Sequence, residues 1–330
     1  MKVRRIGADL SGGERFYSLQ QQEQILARRV EAGWELLEIP VEGLNLLING
    51  ELRSGPLENV VALLCNFDIE YTVHGHMRGN LAFDERHDLA YSIMEAQIEF
   101  CRRIGADRLV IHSGLEALTA ARRGYQRRLP DEHELLEGAS QEVRALRRLA
   151  PLAAEAGVTI CVENGDPHLW EYNVLAQFGL GQESLPTYHG RLVVANNLRQ
   201  LEAIDHPNVG MCLDLGHLFL ASRALGFDYM EAVAEAAPWT RHLHLSDNFG
   251  KLDRGADDGF DRWAFGEADM HMPPGWVNIP YPQVFDPLQD FSGDIILEID
   301  SGFLDYGAEA RQRVADWVGL IAERPDDYGK

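Results

Sequence analysis

An apolar run, Asn208-Val-Gly-Met-Cys-Leu, ends in Asp214-Leu-Gly-His217. Its length and flanking turn residues predict a buried strand. Gly216 permits a sharp turn, so the carboxylate and the imidazole can face one cleft. Buried side by side, both need partners, and a divalent metal ion would serve. The plainer account is a strand end with a capping Asp and a hydrogen-bonded His. The same event recurs along the chain. His74 ends the run from Ile69, His112 the run from Arg108, and Glu163 the run from Val158. His244 and Glu298 sit near the ends of two later runs, and His217, Asp269 and His271 lie in the connections that follow. Singly, each reads as a cap or a satisfied core residue. Together they form a His and carboxylate set without cysteine, which suits Zn²⁺, Mn²⁺, Fe²⁺ or Co²⁺. Left unpaired, so many buried polar groups would cost several kcal/mol.

The elements that must position these residues follow from periodicity and punctuation. Residues 2–10 read as strand one, followed by a turn at Ser11-Gly12-Gly13. A helix over 18–32 closes at Gly33, strand two is 34–40, a helix covers 56–66, and strand three is 69–74. A helix over 85–104 ends at Gly105 with Arg102 and Arg103 in its last turn, where the helix dipole favours cations. Strand four is 108–112, an arginine-rich connection covers 114–130, helix 132–156 closes at Gly157, and strand five is 158–163. Helix 195–205 leads to strand six, helix 226–237 to strand seven (241–247), and a short helix near 281–289 to strand eight (294–300). A last helix covers 307–323. The connections 164–190 and 248–278 read as long irregular binding loops. This alternation, without a break in composition, predicts the α/β class: a single (β/α)8 TIM barrel domain over 1–330, with long loops after strands 5 and 7. In a barrel, the strand ends converge on one face. A doubly wound sheet is the runner-up, but Ser11-Gly12-Gly13 lacks the G-x-G-x-x-G spacing.

Composition narrows the partners. The 330 residues, 45% hydrophobic, allow a large core, and the net charge is −22 from 52 acidic and 30 basic residues. Duplex nucleic acid is a poor partner for such a surface, because phosphate binding needs a positive patch. A small-molecule substrate, anionic or not, fits better, since metal ions make one pocket positive inside a negative envelope. The arginines of 121–128 read as surface. No apolar run spans a membrane, and Met1-Lys-Val-Arg-Arg lacks a signal-peptide core. Cys65, Cys101, Cys161 and Cys212 lack paired spacing and read as buried reduced thiols of a cytoplasmic protein. Oligomeric state is left open. Trp34, Trp239 and Trp317 read as packing residues, while Trp170, Trp263 and Trp276 lie in the long loops and could wall a pocket. His76, His87, His133, His189 and His206 read as surface or supporting residues. His242, beside His244 in one strand, is expected to point away from the barrel interior.

The chain resembles the xylose isomerase-like barrel superfamily, which includes endonuclease IV and many sugar isomerases and epimerases. The stretch Ile6-Gly-Ala-Asp-Leu-Ser-Gly-Gly13 is similar to the opening of endonuclease IV, and His74 with Asn80-Leu81 looks like that family's third strand. His112, Glu163, Asp214-x-x-His217, His244-x-x-Asp247, Asp269-x-His271 and Glu298 follow in the family's order. The nuclease resemblance implies three metal ions. The first would be held by His74, His112 and Glu163, the second by Glu163, Asp214, His244 and Glu298, and the third by His217, Asp269 and His271. The epimerase resemblance implies one ion on Glu163, Asp214, His244 and Glu298. There the two glutamates move a proton at the carbon beside a carbonyl, and His217 and an arginine of the Asp-x-His segment hold the substrate. Here that middle residue is Met270, and Pro273-Pro274-Gly275-Trp276 replaces the nuclease's glycine-rich turn.

The leading expectation is therefore a metal-dependent hydrolase of a small phosphorylated or sugar-like metabolite, using one to three Zn²⁺ or Mn²⁺ ions to generate hydroxide. Glu163 would bridge ions, and Asp247 would orient His244. The alternative is a one-metal sugar isomerase or epimerase with Glu163 and Glu298 as its acid/base pair and His217 beside the substrate. A non-catalytic metabolite-binding barrel is the third reading.

Overall fold

A parallel sheet covered on both faces requires short strands buried along most of their length. Eight of them form a closed parallel barrel: β1 (Lys2–Asp9), β2 (Leu36–Pro40), β3 (Glu70–His74), β4 (Arg108–His112), β5 (Thr159–Glu163), β6 (Val209–Asp214), β7 (Thr240–Leu245) and β8 (Ser292–Leu297). Neighbours in sequence are neighbours in the barrel, and β8 closes on β1. This computed structural model describes residues 1–10, 18–76, 79–84, 86–122, 124, 127–253 and 263–319. The turn at Ser11-Gly12-Gly13, part of the 248–278 connection and the end of the last predicted helix lie outside them.

The register delivers the polar strand ends to one rim. His112 pairs with Glu163 across β4 and β5, and Asp214 pairs with His244 across β6 and β7. Glu298 follows β8 directly, its N–H donating to the Leu245 carbonyl at 3.0 Å. Between β6 and β7 the register shifts by one residue, from Met211 opposite Thr240 to Cys212 opposite His242. Such a bulge re-aims the side chains beyond it. Gly210 makes room for it, since a Cβ there would lie 2.3 Å from Arg241 Cγ.

The helices start and stop where their caps dictate. Ser18 caps the helix Leu19–Glu31, and Asp131 forms a reciprocal capping box with Glu134 at the start of Glu132–Glu155. Gly105 closes His87–Ile104 in the left-handed conformation, with Arg102 and Arg103 in the last turn as expected.

Two expectations need correction, and one helix was not expected. The connection 164–190 is not irregular: it holds a helix at Leu169–Gln177 and a short one at Leu185–Tyr188. The stretch after Asp214 is a helix, Leu215–Leu225, whose first eight residues are all buried. A helix buried all round shows no one-sided apolar stripe, so periodicity could not report it. Cys65 is exposed, whereas Cys101, Cys161 and Cys212 are buried. Among the described residues no helix is long and apolar enough to cross a membrane.

Candidate metal centre

Glu163, at the end of β5, is the hub of the rim. Its Oε1 lies 3.0 Å from Nδ1 of His244, and its Oε2 lies 3.0 Å from Nε2 of His112 and 4.0 Å from Nε2 of His74. Nδ1 of His244 is also 3.1 Å from Oε1 of Glu298 and 3.9 Å from Oδ2 of Asp214. Beyond them, Nε2 of His217 lies 3.3 Å from Oδ2 of Asp269, which also contacts His271. Nε2 of His271 is 4.0 Å from Oε2 of Glu298. The structure thus brings together all nine residues singled out in the sequence. They form three groups, each with its donor atoms within 4.8 Å of one another: His74, His112 and Glu163; Glu163, Asp214, His244 and Glu298; and His217, Asp269 and His271.

The donor set fits a divalent cation. Oδ2 of Asp214 and Oδ1 of Asp269 are buried and accept no hydrogen bond, and Oε2 of Glu163 touches two rings without accepting from either. Buried carboxylate oxygens are normally satisfied, and a cation between them removes that debt. His112 and His271 keep 23% and 24% of their side chains exposed, so the cluster opens between them toward the barrel mouth.

Local structure aims each donor. Asp214 Oδ1 accepts the His217 N–H at 2.6 Å, capping the helix Leu215–Leu225 while Oδ2 faces the cluster. Asn164 clamps β5 to β6: its Nδ2 donates to the Asp214 carbonyl and its Oδ1 accepts the Asp214 N–H, both at 2.9 Å. Ala268 and His271 adopt left-handed φ of 62° and 47°, flanking Asp269 and Met270. Such backbone costs about 1 kcal/mol or more per residue and clusters at functional sites. Met270 itself is buried at 4% exposure, so the segment offers no cation to a substrate from that position.

Two supporting roles differ from expectation. Residues two apart on a strand share a face, so His242 does not point away from His244: both rings reach the buried Glu38, their Nε2 atoms 3.0 and 2.9 Å from its oxygens. Asp247 does not orient His244. Its carboxylate accepts the backbone N–H groups of Asn248, Gly275, Val277, Asn278 and Ile279 at 2.9–3.3 Å, holding the turn that follows His271. Asp247→Ala should therefore cost about 3 kcal/mol or more, through stranded amides, read as a lower urea midpoint in metal-free protein. A loss below about 1 kcal/mol would contradict this role. His189 is fully buried, its Nδ1 2.6 Å from Glu171 and its Nε2 accepting from Arg191 Nε at 2.9 Å. Trp170 lies under the Arg122 guanidinium at 4.5 Å, and Trp276 packs on Phe303 and Tyr306.

Charge is polarised across the cluster. Burial works to raise the Glu163 carboxyl, but His112 and His244 hold it well below the usual range. Burial likewise opposes the ionised Glu298, which His244 and His271 bring to about 2. Burial disfavours charge on His271, but Asp269 and Glu298 raise it to about 10; against the same burial, Asp214, Asp166 and Asp269 push His217 well up, and Cys212, Glu298 and Glu38 push His244 well up. Asp214 goes the other way, raised by burial and by Glu298, Glu163 and Asp269 against His217. The raised histidines contribute stability that is complete below their unfolded value of about 6.5 and is lost as pH climbs through the folded values. The depressed carboxylates contribute above about 4.3 and lose it only as pH falls toward their folded values. Asp214, raised instead, costs stability as pH rises above about 3.9, but it is outnumbered, so metal-free protein should be most stable between about pH 4.5 and 6.5. A metal must displace the ring protons, so the gain in Tm on adding Mn²⁺ should grow from pH 6 to pH 9. A gain that shrinks with rising pH would contradict the assignment.

A sequence model of the xylose isomerase-like TIM barrel family matches residues 26–318. No curated protein matches the chain in sequence. Among solved structures, a D-tagatose 3-epimerase-like protein is 16% identical with a TM-score of 0.65, over 96% of this chain and 98% of that one. A xylose isomerase-like TIM barrel protein from Mycobacterium smegmatis, in complex with magnesium, is 16% identical with a TM-score of 0.66, over 96% and 97%. The 3-keto-D-glucoside 4-epimerase of E. coli is 15% identical with a TM-score of 0.59, over 96% and 99%. At these identities the likeness is one of fold.

Proposed function

We propose that this chain, which belongs to the xylose isomerase-like TIM barrel family, is a divalent-metal-dependent isomerase or epimerase of a ketose-like sugar. The observation that carries the reading is the pair of buried glutamates, Glu163 and Glu298, brought within 3.0 and 3.1 Å of the same His244 nitrogen at the barrel mouth. Glu163, Asp214, His244 and Glu298 would hold the ion. Three carboxylates and one imidazole favour an oxygen-preferring ion such as Mn²⁺. When bound, the metal polarises the substrate's oxygens and so acidifies the adjoining C–H.

The chain's own groups do the rest. Both glutamates are held ionised by their histidines, so either can accept a proton from the carbon beside a carbonyl. The partner returns a proton, to the opposite face for epimerisation or to the neighbouring carbon for isomerisation. His217, held by Asp269, donates to a substrate oxygen. The structural likeness to two proteins described as an epimerase or epimerase-like supports this reading over hydrolysis.

Hydrolysis at a multinuclear site is the second reading. The two outer groups, His74 with His112 and His217 with Asp269 and His271, favour it because a single ion does not need them. Incubation of Mn²⁺-loaded protein with free and phosphorylated ketoses, with epimers and aldoses resolved by chromatography, separates the two. Interconversion without phosphate release supports the proposal. Phosphate release, or no conversion of any sugar, counts against it.

A further inference from the structure

We propose that Glu38 is a positioning residue, fixing the orientation and tautomer of His244 so that Nδ1 faces the metal centre. The inference rests on the metal-dependent reading above and adds to it a residue of β2. Glu38 lies in the middle of β2, flanked by Leu37 and Ile39, and is entirely buried. A carboxylate there is costly unless every oxygen is engaged. Oε2 accepts from Thr72 Oγ1 at 2.9 Å and lies 3.0 Å from Nε2 of His242. Oε1 lies 2.9 Å from Nε2 of His244, a close electrostatic contact in which neither atom completes a hydrogen bond.

The His244 ring therefore spans two carboxylate environments. Its Nδ1 faces Glu163 and Glu298, while its Nε2 faces Glu38. A neutral imidazole carries one N–H and one lone pair. An ionised Glu38 only accepts, so it selects the Nε2–H form and leaves the Nδ1 lone pair for a cation. Thr72 and His242 hold the carboxylate in place rather than meeting the cation themselves. Outer carboxylates of this kind fix ring orientation and raise ligand basicity, and their loss weakens metal binding about 10–100-fold.

The test is equilibrium dialysis of chelator-stripped wild type and Glu38→Gln against Mn²⁺, with far-UV circular dichroism and thermal melting of the metal-free proteins. Gln preserves shape and one acceptor but removes the charge. The expected result is a folded variant with the same number of ions per chain and a Kd about 10–100-fold weaker. An unchanged Kd overturns the proposal, and so does the loss of one whole ion, which would make Glu38 a ligand. Wild type that binds no Mn²⁺ overturns the functional reading and this proposal together. Should Glu38→Gln not fold, nitrogen-15 NMR of histidine-labelled, Zn²⁺-loaded wild type decides: the His244 proton is expected on Nε2, and a proton on Nδ1 contradicts the assignment.

Discussion

Glu298→Gln is expected to lower kcat on the sugar that the wild type converts by about 10²–10⁴-fold at saturating Mn²⁺. The backbone of Glu298 is pinned to β7 and its side chain is 4% exposed, so the amide should occupy the same place. What is lost is the ability to take up a proton. The metal retains Glu163, Asp214 and His244, so KM should move only a few-fold. A loss of less than tenfold, or one confined to KM, would show that Glu298 serves as a ligand alone. In the hydrolytic reading the same variant would weaken the metal without removing a base, and excess Mn²⁺ would restore much of the rate.

Asp214→Asn isolates the other large effect. The side chain works in two directions: one oxygen caps a helix and the other faces the cluster without a protein partner. Asn is as good a cap as Asp, so metal-free stability should change by less than about 1 kcal/mol. Metal affinity should fall by more than about 10²-fold, beyond the range typical of an outer-shell partner. Calorimetry with Mn²⁺ on stripped protein reads the affinity, and melting without metal reads the fold. An unchanged affinity would remove Asp214 from the centre.

The barrel and its polar rim were legible because both are repetitive. Six of the eight strand runs ended at or near a His, Asp or Glu, and the parallel register then brought those ends together. The supporting residues were harder to read. Glu38 was visible as a charge inside Leu36–Pro40, but only the closed barrel sets it against His242 and His244 from a strand some 200 residues away. Asn164 sits beside Glu163 and shows its purpose only through the Asp214 backbone. For His242 the signal was present, since strand periodicity places it with His244. Asp247 was seen, but four of its five amides come from a turn whose path no local pattern predicts. The helix after Asp214 was hidden because its first eight residues are all buried.

The most direct test of a metal-dependent proton transfer between Glu163 and Glu298 is incubation in D₂O with a panel of ketoses, followed by NMR. The account predicts deuterium at the carbon beside the carbonyl of at least one sugar, abolished by chelator and restored by Mn²⁺. Metal-loaded protein that interconverts sugars without exchanging that hydrogen, or that incorporates no deuterium while cleaving a phosphoester, would contradict it.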